Sequence, residues 1–362
     1  MFDRRRTKYL IMISIFALVL SGCSPFGVKG GSEGEEVREA PNTDKQIVIG
    51  LALGTLAEER WVNEKKYFED EAAKYGAKVL SQDANMDENV QNAQIENLIR
   101  QKVDVLVIAA VNAKTASASV TAAKAAGIPV LAYSRMINGA DLDAFIGFDA
   151  IAMGETLARA AVAKVPKGTY MIVNGAPIDN NARSQHVGYF NILQPFIDQG
   201  QIKVVSDQWC DNWAPERALT AVEKALEENN NKIDAFLVSN DGMAGGVIQA
   251  LKARGLDGKV FVSGTDGEKA ALQRIEKGSQ TATLLFPQKE FAEEGARAAI
   301  SLANRMVPAD ATGKTFNGCK DVPTIFAKIV LVTRANLNEV IMKNHISRVE
   351  EGYTNAPKNG KP

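Results

Sequence analysis

Short, continuous apolar runs alternate with longer amphipathic or alanine-rich stretches through most of this chain. The run Val105–Ala110, VLVIAA, is too short for a typical helix and rich in β-branched residues. Such a run fits a strand whose two faces are both buried in a parallel sheet. An alanine-rich segment from Lys114, stopped by Gly127, predicts a crossover helix. Ile128–Tyr133 predicts the next strand, with Ser134 and Arg135 delivered just past its end. The same alternation predicts further strands at 47–53, 77–81, 145–148, 169–174, 202–206, 235–238 and 260–263. Helices are predicted at 59–75 and 87–101, and from about Ala150 and Ala182. The fold class is α/β: two doubly wound parallel sheets in succession, with right-handed crossovers and no linker between them. In open sheets of this kind, ligands bind at the carboxyl edge of the strands.

The first residues carry an address. Arg4, Arg5, Arg6 and Lys8 precede an apolar core from Tyr9 to Leu20, followed by Leu20-Ser21-Gly22-Cys23. A dozen apolar residues is short of the ~20 that span a bilayer as a helix, so residues 1–22 read as an export signal. The L-S-G-C tetrapeptide resembles a bacterial lipobox, which implies lipidation at Cys23. Residues 23–45 read as a flexible tether, because 24–43 hold four glycines, four glutamates and little apolar mass. Removing residues 1–22 takes away four basic residues and Asp3, which moves the formal charge from −1 to −4. Residues 346–362 read as a tail without structure of its own.

Composition removes several classes of function. Lys+Arg at 42 against Asp+Glu at 43 gives no basic field for a phosphate backbone, so no nucleic-acid partner is expected. Two histidines and three cysteines leave little for a metal site, and no cofactor is expected. His186 and His345 stand alone in the sequence, and no nucleophile–base or acid–base spacing points to an enzyme. What recurs at the strand ends is planar polar groups and tryptophan: Arg60-Trp61, Arg135, Asn180-Asn181, Trp209, Trp213, Asn240, Asp266. Vicinal hydroxyls match the forked donors and acceptors of guanidinium, amide and carboxylate, and the C–H face of a pyranose suits a flat indole. Plainer readings stand beside this one. Asp149, Asp241 and Asp266 precede helices and would cap them. Arg60 would pair with Glu64 one turn on, Asn180 and Asn181 would shape a turn, and Trp61 or Trp209 would serve as packing.

The segments ERW, VDVLVI, LAYSRMIN, DNNA, DQW, NNNKIDA, SNDGMAGG and KDVP, with a tryptophan three residues after Cys210, resemble the periplasmic sugar-binding family in its xylose-type branch. The resemblance runs from about Gln46 to Ile341. It implies a type I periplasmic binding protein: two Rossmann-like lobes joined by three crossings near Asp149, Phe286 and Thr333. Lobe one is then 46–149 plus 286–332, and lobe two 150–285 plus 333–345. A monosaccharide sits in the cleft, the lobes close on it, and the closed monomer docks on the membrane permease subunits of an ATP-driven importer. A chemoreceptor is an alternative partner. By resemblance, Arg60, Arg135, Asn181, Asn240 and Asp266 meet sugar hydroxyls, Trp61 and Trp213 supply flat surfaces, and Asp149 lies at the cleft. Cys210 and Cys319 fall in different lobes and are expected free.

Two positions depart from the branch. Ser134 stands where an acid is expected before the arginine, and Phe286 where a lysine is expected before the proline. Losing the pair together preserves net charge. It also allows a different ranking of sugars, with room at Ser134 for the hydroxymethyl group of an aldohexose such as glucose or galactose. A repressor of the same fold would carry a DNA-binding module in place of the signal and tether.

Overall fold

A computed structural model of the protein describes residues 46–343. The predicted signal (1–22), the tether (23–45) with Cys23, the tail (346–362) and His345 lie outside the described residues.

The first group of elements is β1 (Val48–Leu53), α1 (Glu59–Lys74), β2 (Lys78–Asp83), α2 (Glu88–Arg100), β3 (Val105–Ile108), α3 (Ala116–Ala125), β4 (Val130–Tyr133) and β5 (Ala144–Gly147). Every residue of β3, β4 and β5 is buried. That is the burial expected when helices cover both faces of a parallel sheet. The second group is α4 (Ala150–Lys164), β6 (Gly168–Asn174), α5 (Asn180–Asp198), β7 (Ile202–Trp209), α6 (Pro215–Glu228), β8 (Ala235–Val238), α7 (Asp241–Ala253), β9 (Phe261–Val262), β10 (Thr265–Asp266), α8 (Lys269–Lys277) and β11 (Ala282–Leu285). Then come α9 (Gln288–Ala303), β12 (Gly313–Phe316), β13 (Asp321–Phe326), β14 (Val330–Thr333) and α10 (Leu337–Lys343).

The strands form a seven-stranded sheet, β12-β13-β5-β4-β3-β1-β2, a four-stranded sheet, β7-β6-β8-β9, and a three-stranded one, β10-β11-β14. The chain thus leaves the first sheet after β5, returns to it after β11, and leaves again between β13 and β14. That last passage falls between Phe326 and Val330, ahead of Thr333, because Val330–Thr333 pairs antiparallel with β11.

Local chemistry sets where the helices begin at the strand ends. Asp149 caps α4 through Ala152 N, Asp179 caps α5 through Asn181 N, and Asn240 caps α7 through Met243 N. Asp241 is therefore the first helical residue rather than a cap, and Asp266 lies in β10, with Glu268 as the N-cap residue of α8. The helix expected from about Ala182 starts two residues earlier for the same reason.

Helices α4 and α5 meet backbone to backbone through Gly154 and Gly188. A β-carbon on Gly154 would stand 2.1 Å from the Gln185 carbonyl oxygen, and one on Gly188 2.1 Å from that of Ile151. Neither obstacle is a side chain that can swing away. Gly154→Ala is expected to lower stability by about 1–3 kcal/mol, the usual cost of overpacking. A urea midpoint unchanged from the parent would show that the helices part freely.

Candidate functional site

The carboxyl edges of the sheets meet around a cavity. Arg60, in the first turn of α1, is its most heavily braced side chain. Nε donates to Glu64 Oε1 at 2.6 Å, Nη1 to Asp266 Oδ1 at 3.2 Å and Nη2 to Ser134 Oγ at 2.5 Å. The guanidinium also lies 4.5 Å from the Trp61 ring centre and 4.6 Å from that of Phe286. Burial alone would push this guanidinium down, and the Glu64 and Asp266 carboxylates more than reverse it. Burial also raises Glu64 and Asp266, against the pull of Arg60 in both cases.

Arg135 enters from the loop after β4, where Ser134 holds a φ of 62°. Its Nη1 donates to the Ala110 carbonyl at 3.2 Å, and its Nε stands 2.7 Å from Asp179 Oδ2. That pair joins the edge of the seven-stranded sheet to that of the four-stranded one, as does the bond from Asn181 Nδ2 to the Ser134 carbonyl at 2.8 Å, while Arg60–Asp266 reaches the three-stranded sheet. A fourth tie is made by the backbone, Ala113 N donating to Ile178 O at 3.1 Å.

Trp61 and Trp213 supply the flat walls. Trp213 sits in a 3-10 turn, Asp211–Trp213, with its ring pressed on Gly175, where a β-carbon would come within 2.3 Å. Both indole N–H groups are buried without a hydrogen-bond partner among the described residues. Buried donors are nearly always satisfied in folded proteins, so two orphans beside one cavity call for an acceptor.

Of the residues singled out from sequence, Arg60, Trp61, Arg135, Asn181, Trp213, Asn240, Asp266 and Phe286 line the cavity. Ser134 and Asp149 do not. Ser134 is fully buried behind Arg60, so the room imagined there for a hydroxymethyl group does not open into the cavity. Asp149 is exposed and caps α4, the plainer of its two readings. Arg60 lines the cavity and also makes the expected pairing with Glu64, which is buried rather than a surface contact. Phe286 is buried against Phe148, 4.7 Å between ring centres, and faces Arg60 with its ring. The two positions that depart from the branch therefore converge on one guanidinium.

Seven lining residues were not among those singled out: Glu58, Phe148, Met153, Asp179, Gln185, Ser239 and Thr265. Gln185 was within reach, since it follows Asn181 by four residues and shares its helix face. His186 does not stand alone, for its Nε2 lies 2.9 Å from Asp207 Oδ2, although the pair is outside the cavity lining. Among the described residues Cys210 and Cys319 are both free, and no group of three His, Cys, Asp or Glu side chains is placed to hold a metal ion. No described helix is long and apolar enough to cross a membrane.

Residues 49–305 match the periplasmic binding protein domain family, and the chain belongs to that family. It is 46% identical over 308 residues to the D-xylose-binding periplasmic protein of Escherichia coli (strain K12), covering 85% of this chain and 93% of that one. Its identity to the protein of the same name from Haemophilus influenzae is 43% over 310 residues, again covering 85% and 93%. Among solved structures, a carbohydrate transporter solute binding protein from Chloroflexus aurantiacus in complex with D-glucose matches with a TM-score of 0.75 at 27% identity. That match covers 86% of this chain and 98% of the other. A transporter solute binding protein from Clostridium phytofermentans with bound β-D-glucose gives 0.74 at 25% identity, covering 85% and 98%.

Proposed function

We propose that this protein is the exported ligand-binding component of an ATP-driven sugar importer, and that it takes a monosaccharide in pyranose form, D-xylose first. The observation that carries the reading is a cavity with two guanidiniums, two orphaned indole N–H groups and amide and carboxyl groups converging from both sheet edges. A pyranose offers acceptors to the donors, donors to the carboxylates, and a C–H face to each indole. The name borne by relatives 43–46% identical to this chain favours the pentose. An aldohexose is the second reading, favoured by the aromatic Phe286 on the cavity wall and by the glucose-bound structural neighbours.

In this reading residues 46–149 and 286–329 move as one lobe and 150–285 with the segment from Val330 as the other. The ties between the sheet edges form as the cleft closes. Cys23 carries the lipid anchor, permease subunits receive the closed monomer, and a chemoreceptor is a further candidate partner.

Competition calorimetry with D-xylose, D-glucose and D-galactose tests the reading. Binding of one monosaccharide per chain is expected, with a smaller radius of gyration in solution scattering at saturation. A profile that does not move, or no heat with any sugar, defeats it. Saturation at 100 times Kd adds about 2.7 kcal/mol of stability, so a melting-temperature screen reads the same outcome.

The pairing of Ser134 with Phe286 gives a sharper expectation. Ser134→Asp alone sets a further carboxylate beside a guanidinium already held by Glu64 and Asp266, and Phe286→Lys alone sets an ammonium against it. Each single change is expected to weaken every sugar, while the double change restores binding and shifts the ranking toward D-xylose. Additive effects of the two changes on calorimetric Kd would sink the coupling.

A further inference from the structure

Glu58 is the N-cap residue of α1, where a carboxylate ordinarily accepts helix N–H bonds, yet its side chain makes no such bond. Among the described residues its carboxyl has no hydrogen-bond or ion-pair partner. Its carboxyl lines the cavity, as do those of Asp179 and Asp266, and only two guanidiniums face the three acids. Both are taken. Arg135 stands 2.7 Å from Asp179, and Arg60 holds Asp266 at 3.2 Å and Glu64 at 2.6 Å. The cleft is left with one odd carboxyl.

We propose that Glu58 contacts the ligand and opens this site to a protonated amino sugar as well as to the neutral sugar. The inference rests on the sugar-binding reading above. An ammonium in place of a ring hydroxyl brings three donors and the positive charge that the odd carboxylate lacks. A neutral sugar brings no charge, so the cleft closes over it only at the cost of an unpaired buried carboxylate or of a proton taken up.

The surroundings of Glu58 favour the proton. Burial pushes its carboxyl up, Asp266 and Asp179 add to the push, and Arg135 and Arg60 oppose it, for a value of about 7. Glu268 is itself pushed up to about 8 by burial and by Asp266, Asp241 and Glu58. In an open cleft the Glu58 carboxyl stands in water with the ordinary carboxylate value. The closed form therefore binds the extra proton, and neutral-sugar affinity is greatest at the acid end of the window. It falls as pH rises toward about 7 and is flat above. An ammonium ligand keeps the carboxylate ionised and escapes that loss.

Titration of the purified protein with D-xylose, D-glucose and D-glucosamine, at about pH 5.5 and about pH 7.5, decides the matter. The parent is expected to lose at least about fivefold in D-xylose affinity between the two values, and at the higher one to bind D-glucosamine at least as tightly as D-glucose. Glu58→Gln is expected to flatten the D-xylose profile. At the higher pH it should bind D-xylose at least about threefold more tightly than the parent and D-glucosamine at least about tenfold more weakly. Opposite shifts cannot come from damage to the fold, which weakens both ligands. Shifts in the same direction, or a ratio of the two affinities that stays within about twofold, overturn the proposal while neutral-sugar binding leaves the sugar-binding reading intact. Absence of binding by either class overturns both.

Discussion

Arg135→Ala is expected to weaken sugar binding by at least about thirtyfold, or ~2 kcal/mol. Two losses add in that change. The ligand forfeits charged donors, and Asp179, 1% exposed, loses the cation that stands 2.7 Å away across the cleft. An acid left buried without its partner penalises the closed form in particular, because opening restores it to water. Arg135→Lys should recover little, since an ammonium cannot reach the Ala110 carbonyl, Asp179 and a sugar through one planar fork. Calorimetry showing less than a threefold change in Kd for Arg135→Ala would move this side chain out of the binding machinery.

Arg60 carries a larger share of the fold itself. Its guanidinium compensates Glu64, 1% exposed, and Asp266, 5% exposed, at once. Arg60→Ala is expected to cost about 3–5 kcal/mol in the ligand-free protein, the range for breaking a buried pair from one side. The loss has a direction in pH. Without the guanidinium, burial holds both carboxyls above their values in the unfolded chain. Stability is then retained below the unfolded carboxylate range and lost as pH rises through the folded values. Urea unfolding should therefore show a larger deficit at about pH 8 than at about pH 5, and Glu64→Gln added to Arg60→Ala should return part of it. Equal deficits at both values would mean the acids have found other partners.

The sequence exposed the fold where burial leaves an unbroken apolar run. VLVI at 105–108, AFLV at 235–238 and the strand after Ile128 can be read because both faces are covered and no polar residue interrupts them. β10 could not be read, for Thr265 and Asp266 carry no strand signal and are extended only through pairing with Leu284 and Leu285. β12 and β13 form a hairpin at the sheet's edge, where GKTF alternates and half its residues face water.

The site was legible to a similar depth. Strand ends announced Arg135, Asn181 and Asn240, because α/β topology sends every such end to one edge. It does not say which way a side chain turns there. Ser134 and Arg135 are adjacent, yet a left-handed residue at 134 tucks one behind Arg60 and sends the other into the cavity. Glu58 was hidden for the opposite reason. A glutamate immediately before an amphipathic helix looks like an ordinary cap, and only its missing cap bond singles it out.

The seven-stranded sheet has a consequence for how the chain is made. β13 pairs in parallel with β5, Thr324 opposite Phe145 and Ile325 opposite Ile146, so strands nearly half the sequence apart stand side by side. Closing so long a loop is slow, and nothing in the first 150 residues can replace the missing strand. While the ribosome is still working on the middle third of the message, the amino-terminal half of this sheet is therefore an unfinished edge.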